Sequence, residues 1–556
     1  MLTTIIIILQ FVQTTANFPT TFGGCPNAPS IKGINITSTT IPMSIAKTLK
    51  AAEEMIDLVQ KRGIDVIDSG LYTTPTSAIS VGLVYDQDLI WSKGFGKKNL
   101  TDPTSDVDEE TIYRIGSISK ILAMLSMMVA RDAGKLSLDD PISKHVPEFS
   151  VKPPPGSTSS TTERGITFTH LATHMSGLTR ESPCVNQKCQ MNDATAWQRI
   201  SQTNQILAPD TMPIYSNLGF EVLGHATKIA TNSKSYQDMI EKTIVLPLNL
   251  TSTGVNITSG VLENKNQFKH LALPYVEGNP SPRPCGNFCL EDFGWQQPSG
   301  SCYSTVQDLG KIMSLMFQHD ADTNGDASSS STKTNKVLQP STLREILLPK
   351  YITTDRQGGY ATTFELYKLG NYMLRTKRGD VDGYASEMIM IPELKIGIVV
   401  LSSMVEHAQY VAQRFIGMVL PAFDSYFRVA SANVQDPELN PPLPLLNYIG
   451  TYVTTTATLP DVQNEINVEL VGENVLIVNW NRSRLKYLES VEDDIGTTHL
   501  FRLLPWFGEA FGPGSKSCSR TQMDDWYELL KFQVDGNGKV LSIKLDFVYG
   551  VTWKKE

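Results

Sequence analysis

Apolar residues change from helical to strand spacing and back along the first part of the chain. From Ser44 to Gly63 they recur every three or four residues, which predicts a helix with one buried face. Two runs, Ala78–Tyr85 and Leu89–Phe95, flank a short polar turn and predict an antiparallel hairpin. A second helical run follows Ser117 and ends near Gly134. The predicted order is therefore helix, antiparallel strands, helix.

Helical patterns dominate the middle of the chain, and strand patterns return after it. The predicted helices cover residues 193–207, 218–231 and 236–251, and a stretch that ends at Gln318. The predicted strands cover residues 370–379, 383–391 and 396–401, and a closing helix covers 407–422. Because strands lie at both ends of this segment, we expect them to pair into one antiparallel sheet with the helical block inserted between them. The sequence thus predicts an α+β domain over residues 44–425.

A different pattern follows a proline-rich stretch. Residues 424–445 contain several prolines and are predicted to form a linker, with Pro437, Pro441, Pro442 and Pro444 among them. Beyond it apolar residues alternate with polar ones, and Asp535–Gly538 reads Asp-Gly-Asn-Gly, a hairpin turn. We therefore predict a second, all-β domain over residues 440–556, shaped as a barrel or a sandwich and without a nucleophile–base pair. Residues 17–43 predict an N-terminal arm.

Composition and charge narrow the class of protein. The 556 residues carry a net charge of −9 and contain no basic block, which argues against a nucleic-acid partner. Residues 1–16 contain a short apolar core and end in small residues, as in a secretory signal peptide, and no later stretch is apolar enough to span a membrane. We therefore expect a secreted, extracellular glycoprotein. Five glycosylation sequons agree with this expectation: Asn35, Asn99, Asn249, Asn256 and Asn481.

The cysteines also fit an oxidising compartment. Cys184 and Cys189 bracket a short polar loop, and we predict a disulfide between them. Two of Cys285, Cys289 and Cys302 are candidates for a second bridge. No pair has the spacing of a zinc site, and because the total of seven is odd, one thiol is left over or pairs between chains.

One short motif suggests nucleophilic chemistry. Ser117-Ile-Ser-Lys120 stands at the start of the second helical run, so Ser117 lies at a helix N-terminus and Lys120 follows one turn later on the same face. A serine alcohol is a weak nucleophile until a neighbouring group takes its proton. A lysine in a poorly solvated pocket can be neutral and take that proton. A lone Ser-x-x-Lys also occurs by chance, so the motif needs support from the rest of the chain.

Five further segments supply that support, and the whole pattern resembles the serine beta-lactamase-related family of class C beta-lactamases, D-Ala-D-Ala carboxypeptidases and related esterases. The resemblance covers residues 44–422 and follows the family's order of motifs. The matching segments after Ser117–Lys120 are His174–Leu178, Tyr215-Ser-Asn217, Pro247–Thr251, Ser304–Asp308, and Lys377-Arg-Gly379 followed by Gly383-Tyr384.

The resemblance implies a role for each matched residue. Ser117 would be the acylated nucleophile, and Lys120 and Tyr215 would share the proton transfer. Asn217 would bind the amide of the acyl side chain, and Lys377 would fix the Tyr215 hydroxyl or a substrate carboxylate. Gly379 belongs to the same motif, and the backbone N–H groups of Ser117 and Asp380 would form the oxyanion hole. No cofactor is implied, and the expected partner is a small-molecule or peptide substrate.

The motif that begins at Lys377 departs from the family pattern. The family usually has a hydroxyl residue where this chain has Arg378 and Asp380. These two residues would share a face of a regular strand, but Gly379 between them permits a bulge, and we expect a bulge to separate them. Asp380 would then repel an anionic substrate, which predicts weak hydrolysis of penicillins and D-Ala-D-Ala peptides and better turnover of uncharged esters or amides.

Other interpretations remain open on the sequence. His170 and His174 would face each other on a helix, but Leu171 stands where a metalloprotease helix has its glutamate, so we predict packing or hydrogen-bonding histidines and no metal. A protein that keeps the fold only for binding is the main alternative to an enzyme. Arg378-Gly-Asp380 also spells an adhesion tripeptide, on a predicted strand beside the site.

Overall fold

The computed structural model describes residues 31, 34–63, 77–156, 165–184, 189–276, 283–320, 337–404, 407–433, 443–454, 465–471, 475–478, 483–493, 496–505, 529–545 and 552–555. The chain divides into two units: Ile34–Phe427 forms one, and Arg428–Glu556 belongs to the other. The predicted signal peptide, the sequon at Asn481 and two cysteines, Cys25 and Cys518, lie outside the described residues.

The α-helices of the described residues all belong to the first unit or begin in it. The α-helices are α1 (Met43–Arg62), α2 (Ser119–Asp132), α3 (Ile142–His145), α4 (Phe168–Ala172), α5 (Asp193–Ile200), α6 (Asn217–Ala230), α7 (Tyr236–Ile240), α8 (Lys265–Phe268), α9 (Gln297–Gly300), α10 (Val306–Met316), α11 (Pro340–Leu347) and α12 (His407–Asn433). Gly116–Ile118 is a 3₁₀ turn that leads into α2, and Glu241–Val245 is a π-helical extension of α7. Apart from these, only the short 3₁₀ helix Leu445–Tyr448 follows Phe427 in the described part of the chain.

One antiparallel sheet forms the centre of the first unit. Its strands are β1 (Ala78–Tyr85), β2 (Asp88–Gly96), β7 (Tyr351–Ile352), β8 (Gly358–Tyr360), β9 (Glu365–Leu369), β10 (Tyr372–Val381), β11 (Tyr384–Ile391) and β12 (Ile396–Ser402). Two small ladders lie outside it: β3 (Tyr113–Arg114) with β6 (Tyr303–Ser304), and β4 (Tyr275–Val276) with β5 (Arg283–Pro284). The order across the sheet is β2-β1-β12-β11-β10-β9-β8-β7.

Strands from the beginning and the end of the first unit pair with each other, which confirms the predicted α+β architecture. β1 lies antiparallel to β12, with Ile79 opposite Ser402 and Tyr85 opposite Ile396. Every residue of β1, β11 and β12 is buried, because helices cover both faces of the central strands. On one face Val306 of α10 lies against Gly82, and on the other Phe415 of α12 stacks on Trp91.

The second unit contains a closed barrel of eight antiparallel strands. These are β13 (Gly450–Val453), β14 (Glu465–Val471), β15 (Val475–Val478), β16 (Ser483–Asp493), β17 (Gly496–Pro505), β18 (Leu529–Val534), β19 (Val540–Leu545) and β20 (Trp553–Lys555). β13 pairs with both β14 and β20, which closes the ring and leaves no edge strand. Tyr448, Tyr452, Phe501 and Phe532 pack in its core.

Three predicted helices end elsewhere in the structure. The helix predicted over 236–251 is α7 with its π-helical extension and ends at Val245. For the other two, tertiary contacts override the local pattern. The helix predicted over 193–207 ends at Ile200, since Lys152 exchanges backbone hydrogen bonds with Thr203 and Gln205. The closing helix does not end at 422: α12 runs through Pro421 to Asn433, so the predicted start of a linker at 424 is wrong. Phe423 and Phe427, one turn apart, are buried against Tyr85 and hold this last part of the helix.

No helix in the described part of the chain is long and apolar enough to span a membrane.

Candidate active site

Ser117 lies in a tight turn that its neighbours hold from two sides. The turn Gly116–Ile118 begins at a left-handed glycine, Gly116, with φ +48°. The Ser119 hydroxyl donates to Gly116 O (2.6 Å) and accepts from the N–H of Cys302 (2.9 Å). The first hydrogen bond of the turn comes from the N–H of Ile118 to Ile115 O, so the N–H of Ser117 precedes the helical ladder.

Lys120 is completely buried beneath Ser117. Its Nζ donates to Ser117 Oγ (3.0 Å), to Asn217 Oδ1 (2.7 Å) and to the carbonyl of Ser299 (2.6 Å). Burial lowers the pKa of the Lys120 amine below its ordinary value, and the nearby cation Lys377 lowers it further. The neutral amine is therefore more accessible here than on a free lysine, and it lies within hydrogen-bond distance of the serine proton.

Tyr215 stands among three cations. The Nζ of Lys120 and of Lys377 lie 5.1 and 5.0 Å from the centre of its ring, and the Arg180 guanidinium lies 5.1 Å from it. Burial by itself raises the pKa of the Tyr215 phenol, but Lys120 and Lys377 outweigh it, and the net pKa is below the ordinary value. The phenol and the Lys120 amine thus share one titrating site, and a proton on either one affects the other.

Asn217 is the first residue of helix α6. The N-cap is Ser216, whose hydroxyl accepts from the N–H of Gly219 (2.8 Å), so the Asn217 side chain is not needed as a cap. The Asn217 side chain is instead directed into the site. Its Oδ1 accepts from Lys120 and its Nδ2 donates to Glu181 Oε1 (2.6 Å).

Lys377 is buried on strand β10, 1% exposed, with a carboxylate that the sequence did not point to. Its Nζ donates to Glu365 Oε1 (2.7 Å) and to the carbonyl of Arg378 (3.2 Å). Burial alone lowers the pKa of an amine, but the Glu365 carboxylate outweighs burial and raises the pKa of Lys377. Lys377 therefore stays a cation beside Tyr215.

Strand β10 packs directly against the serine turn at Gly379. A Cβ on Gly379 would lie 2.1 Å from Ile115 O and 2.4 Å from Ser386 Oγ, so only glycine permits this approach. The Ser386 hydroxyl lies between the two segments, and its one proton is directed to Ile115 O (2.8 Å) and Gly379 O (3.2 Å) as a shared hydrogen bond. From the other side, a Cβ on Gly116 would lie 2.8 Å from the N of Asp380.

The register of β10 determines where the N–H of Asp380 points. Two-residue turns pair Leu369 with Tyr372 and Val381 with Tyr384, so odd-numbered residues at this end of β10 bond to β11 and even-numbered residues face the side of β9. β9 begins at Glu365, opposite Thr376, and does not extend alongside Asp380. The N–H of Asp380 is therefore directed to the same open side as the serine turn.

The predicted bulge at Gly379 is wrong. β10 pairs with β11 without interruption from Arg375 to Val381, and on this regular strand Arg378 and Asp380 share a face. The Arg378 Nε donates to Asp380 Oδ2, and Gln409 of α12 donates to Asp380 Oδ1 (3.2 Å). Asp380 is thus a paired carboxylate, and the expected repulsion of anionic substrates loses its basis.

The prediction that His170 and His174 lie on one helix is wrong. Helix α4 ends at Ala172, and His174 has φ +59° in the turn beyond it. Its ring stacks on Tyr215 at 4.5 Å, and its Nδ1 accepts from the N–H of Ser216 (3.1 Å), which agrees with the prediction of packing and hydrogen-bonding histidines. Burial and the cations Lys377 and Lys120 lower the pKa of His174 well below its usual range, so the ring is neutral.

The cysteines of the described residues pair largely as expected. Cys184 and Cys189 form the predicted disulfide, and Cys285 with Cys289 forms the second. Cys302 is the member of its group left as a buried thiol, behind the serine turn. Within the described residues no group of His, Cys, Asp or Glu side chains has the arrangement of a metal site.

Two carboxylates at the site were missed by the sequence reasoning, in addition to Glu365. Glu221 follows Asn217 by one helical turn, and that spacing was a usable signal; it is fully buried, and burial together with Glu181 raises its pKa well above the ordinary value. Glu181 stands in an irregular loop before Cys184, where no periodic pattern marks it. The Ser299 carbonyl, as a backbone group, leaves no trace in the sequence.

Comparison with known proteins agrees with this geometry. A family model described as Beta-lactamase matches residues 66–420. The chain is 26% identical to Beta-lactamase-like protein 2 of Dictyostelium discoideum, over 83% of this chain and 79% of that protein. It is 27% identical to the D-alanyl-D-alanine-carboxypeptidase/endopeptidase AmpH of Escherichia coli strain K12, over 52% of this chain and 71% of AmpH.

A solved structure shows the same fold. The octameric penicillin-binding protein homologue from Pyrococcus abyssi aligns with a TM-score of 0.53 at 19% identity, over 92% of this chain and 100% of that chain. The matched family segment contains Ser117, Lys120, Tyr215, Asn217 and Lys377, the residues that the structure brings together. The chain therefore belongs to the beta-lactamase family.

Proposed function

We propose that the protein is a serine hydrolase that forms an acyl-enzyme on Ser117 and acts on a small amide or ester. The observation that carries the proposal is the contact between the buried Lys120 amine and Ser117 Oγ, at 3.0 Å. A buried amine whose pKa is lowered is a group that can accept the serine proton.

The reaction would proceed in two half-reactions at this serine. Ser117 Oγ attacks the substrate carbonyl while its proton passes to the Lys120–Tyr215 pair. The N–H groups of Ser117 and Asp380 would stabilise the tetrahedral oxyanion. The pair returns the proton to the leaving amine or alcohol, which departs and leaves the acyl-enzyme. Water then attacks the ester, gives its proton to the same pair, and releases the acid as Ser117 regains its proton.

Asn217 and Lys377 have supporting roles in this proposal. Asn217 fixes Lys120 through Oδ1. Its Nδ2 donates one N–H to Glu181 and has a second N–H that can contact the acyl group. Lys377, kept charged by Glu365, holds Tyr215 toward the phenolate form. Because Arg378 neutralises Asp380, we no longer expect uncharged substrates to be favoured on electrostatic grounds.

The test is labelling by a fluorophosphonate probe, followed by mass spectrometry of the labelled peptide. We expect the label on Ser117, and none in Ser117→Ala at an unchanged circular dichroism spectrum. Ser341→Ala is the matched control, because Ser341 is an exposed serine of α11 and makes none of the contacts that define the site. A folded wild-type protein that takes up no label would favour the alternative of a binding protein without catalysis.

We also propose that the protein is extracellular. The two disulfides of the described residues agree with an oxidising compartment. Detection of the processed, glycosylated chain in culture medium after expression in animal cells is the direct test. Retention of the whole product inside the cell would contradict the proposal.

A further inference from the structure

The amide of Asn217 already has a partner within the protein. Its Nδ2 donates to Glu181 Oε1 at 2.6 Å, while its Oδ1 accepts from Lys120. An uninterrupted chain of hydrogen bonds therefore leads from Glu181 through Asn217 and Lys120 to Ser117 Oγ. A substrate group that approaches the Asn217 amide meets a carboxylate at the same place.

Glu181 is held there by the fold rather than by chance rotation of a surface side chain. The preceding carbonyl, Arg180 O, accepts from the N–H groups of Asn217 (2.9 Å) and Leu218 (3.2 Å), and so satisfies the N-terminus of α6. The Ser216 hydroxyl donates to Thr179 O (2.6 Å). The segment 179–181 thus forms one unit with the start of the helix that carries Asn217.

One oxygen of the Glu181 carboxylate, Oε2, is available to a ligand. The Asn217 hydrogen bond and the ion pair with Arg180 Nε (3.5 Å) both fall on Oε1. Oε2 has no hydrogen-bond partner among the residues that the structure describes, and the side chain is 36% exposed. Arg180 compensates only part of this charge, because its guanidinium lies over the Tyr215 ring and is itself 67% exposed.

We propose that Glu181 is a specificity-determining residue that selects acyl groups carrying a protonated amine. An ammonium group would donate to Oε2, whereas a carbonyl acceptor at this position would face carboxylate oxygens. Charge-assisted hydrogen bonds of this kind change affinity by about tenfold or more. The proposal rests on the proposed function, since it assumes that the acyl group is attached at Ser117.

A purely structural role for Glu181 makes a different prediction. If the carboxylate only orients Asn217, its replacement would affect cationic and neutral ligands alike. Glu181→Gln separates the two roles, because the glutamine carbonyl can still accept from Asn217 Nδ2 while the negative charge is lost. Glu263→Gln is the matched control, since Glu263 is an exposed glutamate remote in sequence from the site motifs.

The ligands are boronic acids, which bond reversibly to an active-site serine and need no turnover. The cationic members are 1-aminoethylboronic acid and 3-aminopropylboronic acid, and the neutral members are their N-acetyl derivatives. Each is titrated against fluorophosphonate labelling of Ser117 at pH 6.5, in the full-length protein and its variants. The readout is the ratio of inhibition constants within each amine–acetamide pair.

We expect the wild type to bind at least one amine about tenfold more tightly than its acetamide. Glu181→Gln should abolish this preference by weakening the amine arm, Glu263→Gln should leave it unchanged, and Arg180→Gln should increase it. Equal inhibition by amine and acetamide, no inhibition by any boronate, or a preference that survives in Glu181→Gln would overturn the proposal while labelling still supports the hydrolase. Absence of labelling in the wild type would overturn the proposed function and this inference with it.

Discussion

At the scale of single residues, the two buried lysines of the site differ in their partners, and their pKa values are shifted in opposite directions. Lys120 and Lys377 are both buried, but only Lys377 has a carboxylate partner, Glu365. Burial without such a partner favours the neutral amine, and burial with one favours the cation. In the proposed mechanism, Lys120 belongs to the base because Glu365 contacts Lys377 and not Lys120.

Replacing Lys377 with Met should shift the pH dependence of acylation to higher pH. The rate requires the unprotonated form of the Lys120–Tyr215 pair, so it is lost as the pH falls through the pKa of that pair. Lys377 lowers the pKa of both groups, and removing its charge raises both. The measurement is the rate of fluorophosphonate labelling between pH 5 and 10.

The double variant Lys377→Met/Glu365→Gln is the control for this shift. The single variant leaves a carboxylate that raises the pKa of Tyr215, and the double variant removes that contribution as well. The acid limb of the double variant should therefore lie between those of the wild type and the single variant. An unchanged pH profile in Lys377→Met would contradict the assignment of the pair as the base.

At the scale of elements, the decisive contact is the approach of β10 to the serine turn. The sequence indicated both elements, and the match to a family motif placed Gly379 beside the site. The sequence did not indicate that Glu365 and β9 lie at the site. Strands β7, β8 and β9 are two, three and five residues long, which is too short for a periodic pattern. Nor did it show that β10 is regular, since a glycine in a strand is compatible with a bulge and with close packing alike.

Gly379→Ala should strongly reduce acylation without unfolding the protein. Its Cβ would meet Ile115 O and Ser386 Oγ, and the strand must move away from the turn, which displaces the Asp380 N–H. Loss of one oxyanion donor typically lowers the rate by about a hundredfold to a thousandfold. Gly417→Ala in α12 is the control, because no atom lies within 4 Å of its Cβ, and its labelling rate should equal that of the wild type. Equal labelling of the two variants would exclude this role for the contact.

The Arg378–Asp380 pair on β10 leads to a second expectation for this element. Asp380→Asn removes one negative charge from this part of the strand, and Glu387 opposite Arg378 is largely neutral, since burial raises the pKa of Glu387 to about 8. Acylation by a fluorescent penicillin, which is an anion, should increase. The pair is exposed, so the gain should stay below about 1 kcal/mol, or fivefold, and decrease with salt.

Arg378→Gln should have the opposite effect on the same penicillin, and Arg378→Gln/Asp380→Asn should return close to the wild type. A tenfold or larger gain in Asp380→Asn that is insensitive to salt would indicate that Asp380 repels the substrate directly after all.

At the scale of the whole molecule, the architecture could be predicted from the order of the elements. The exact ends of the elements could not. The α+β architecture followed from strands at both ends of a helical block, because sheet strands need partners and β1 finds β12 about three hundred residues later. The end of α12 could not be predicted in this way. A proline such as Pro421 normally marks the end of a helix, and the burial of Phe423 and Phe427 against Tyr85, a contact distant in sequence, favours its continuation.

A chain that ends after residue 433 should still be labelled at Ser117 at the rate of the full-length protein. Each contact that defines the site lies within Ile34–Phe427, and α12 remains complete. The barrel strands removed pair only with one another in the described residues.

A chain that ends after residue 420 is the control: it loses Phe423 and Phe427, exposes Tyr85 and should fail to fold. Circular dichroism and labelling kinetics on both chains decide the matter. A chain ending at 433 that is folded but unlabelled would mean that the second unit supplies part of the site.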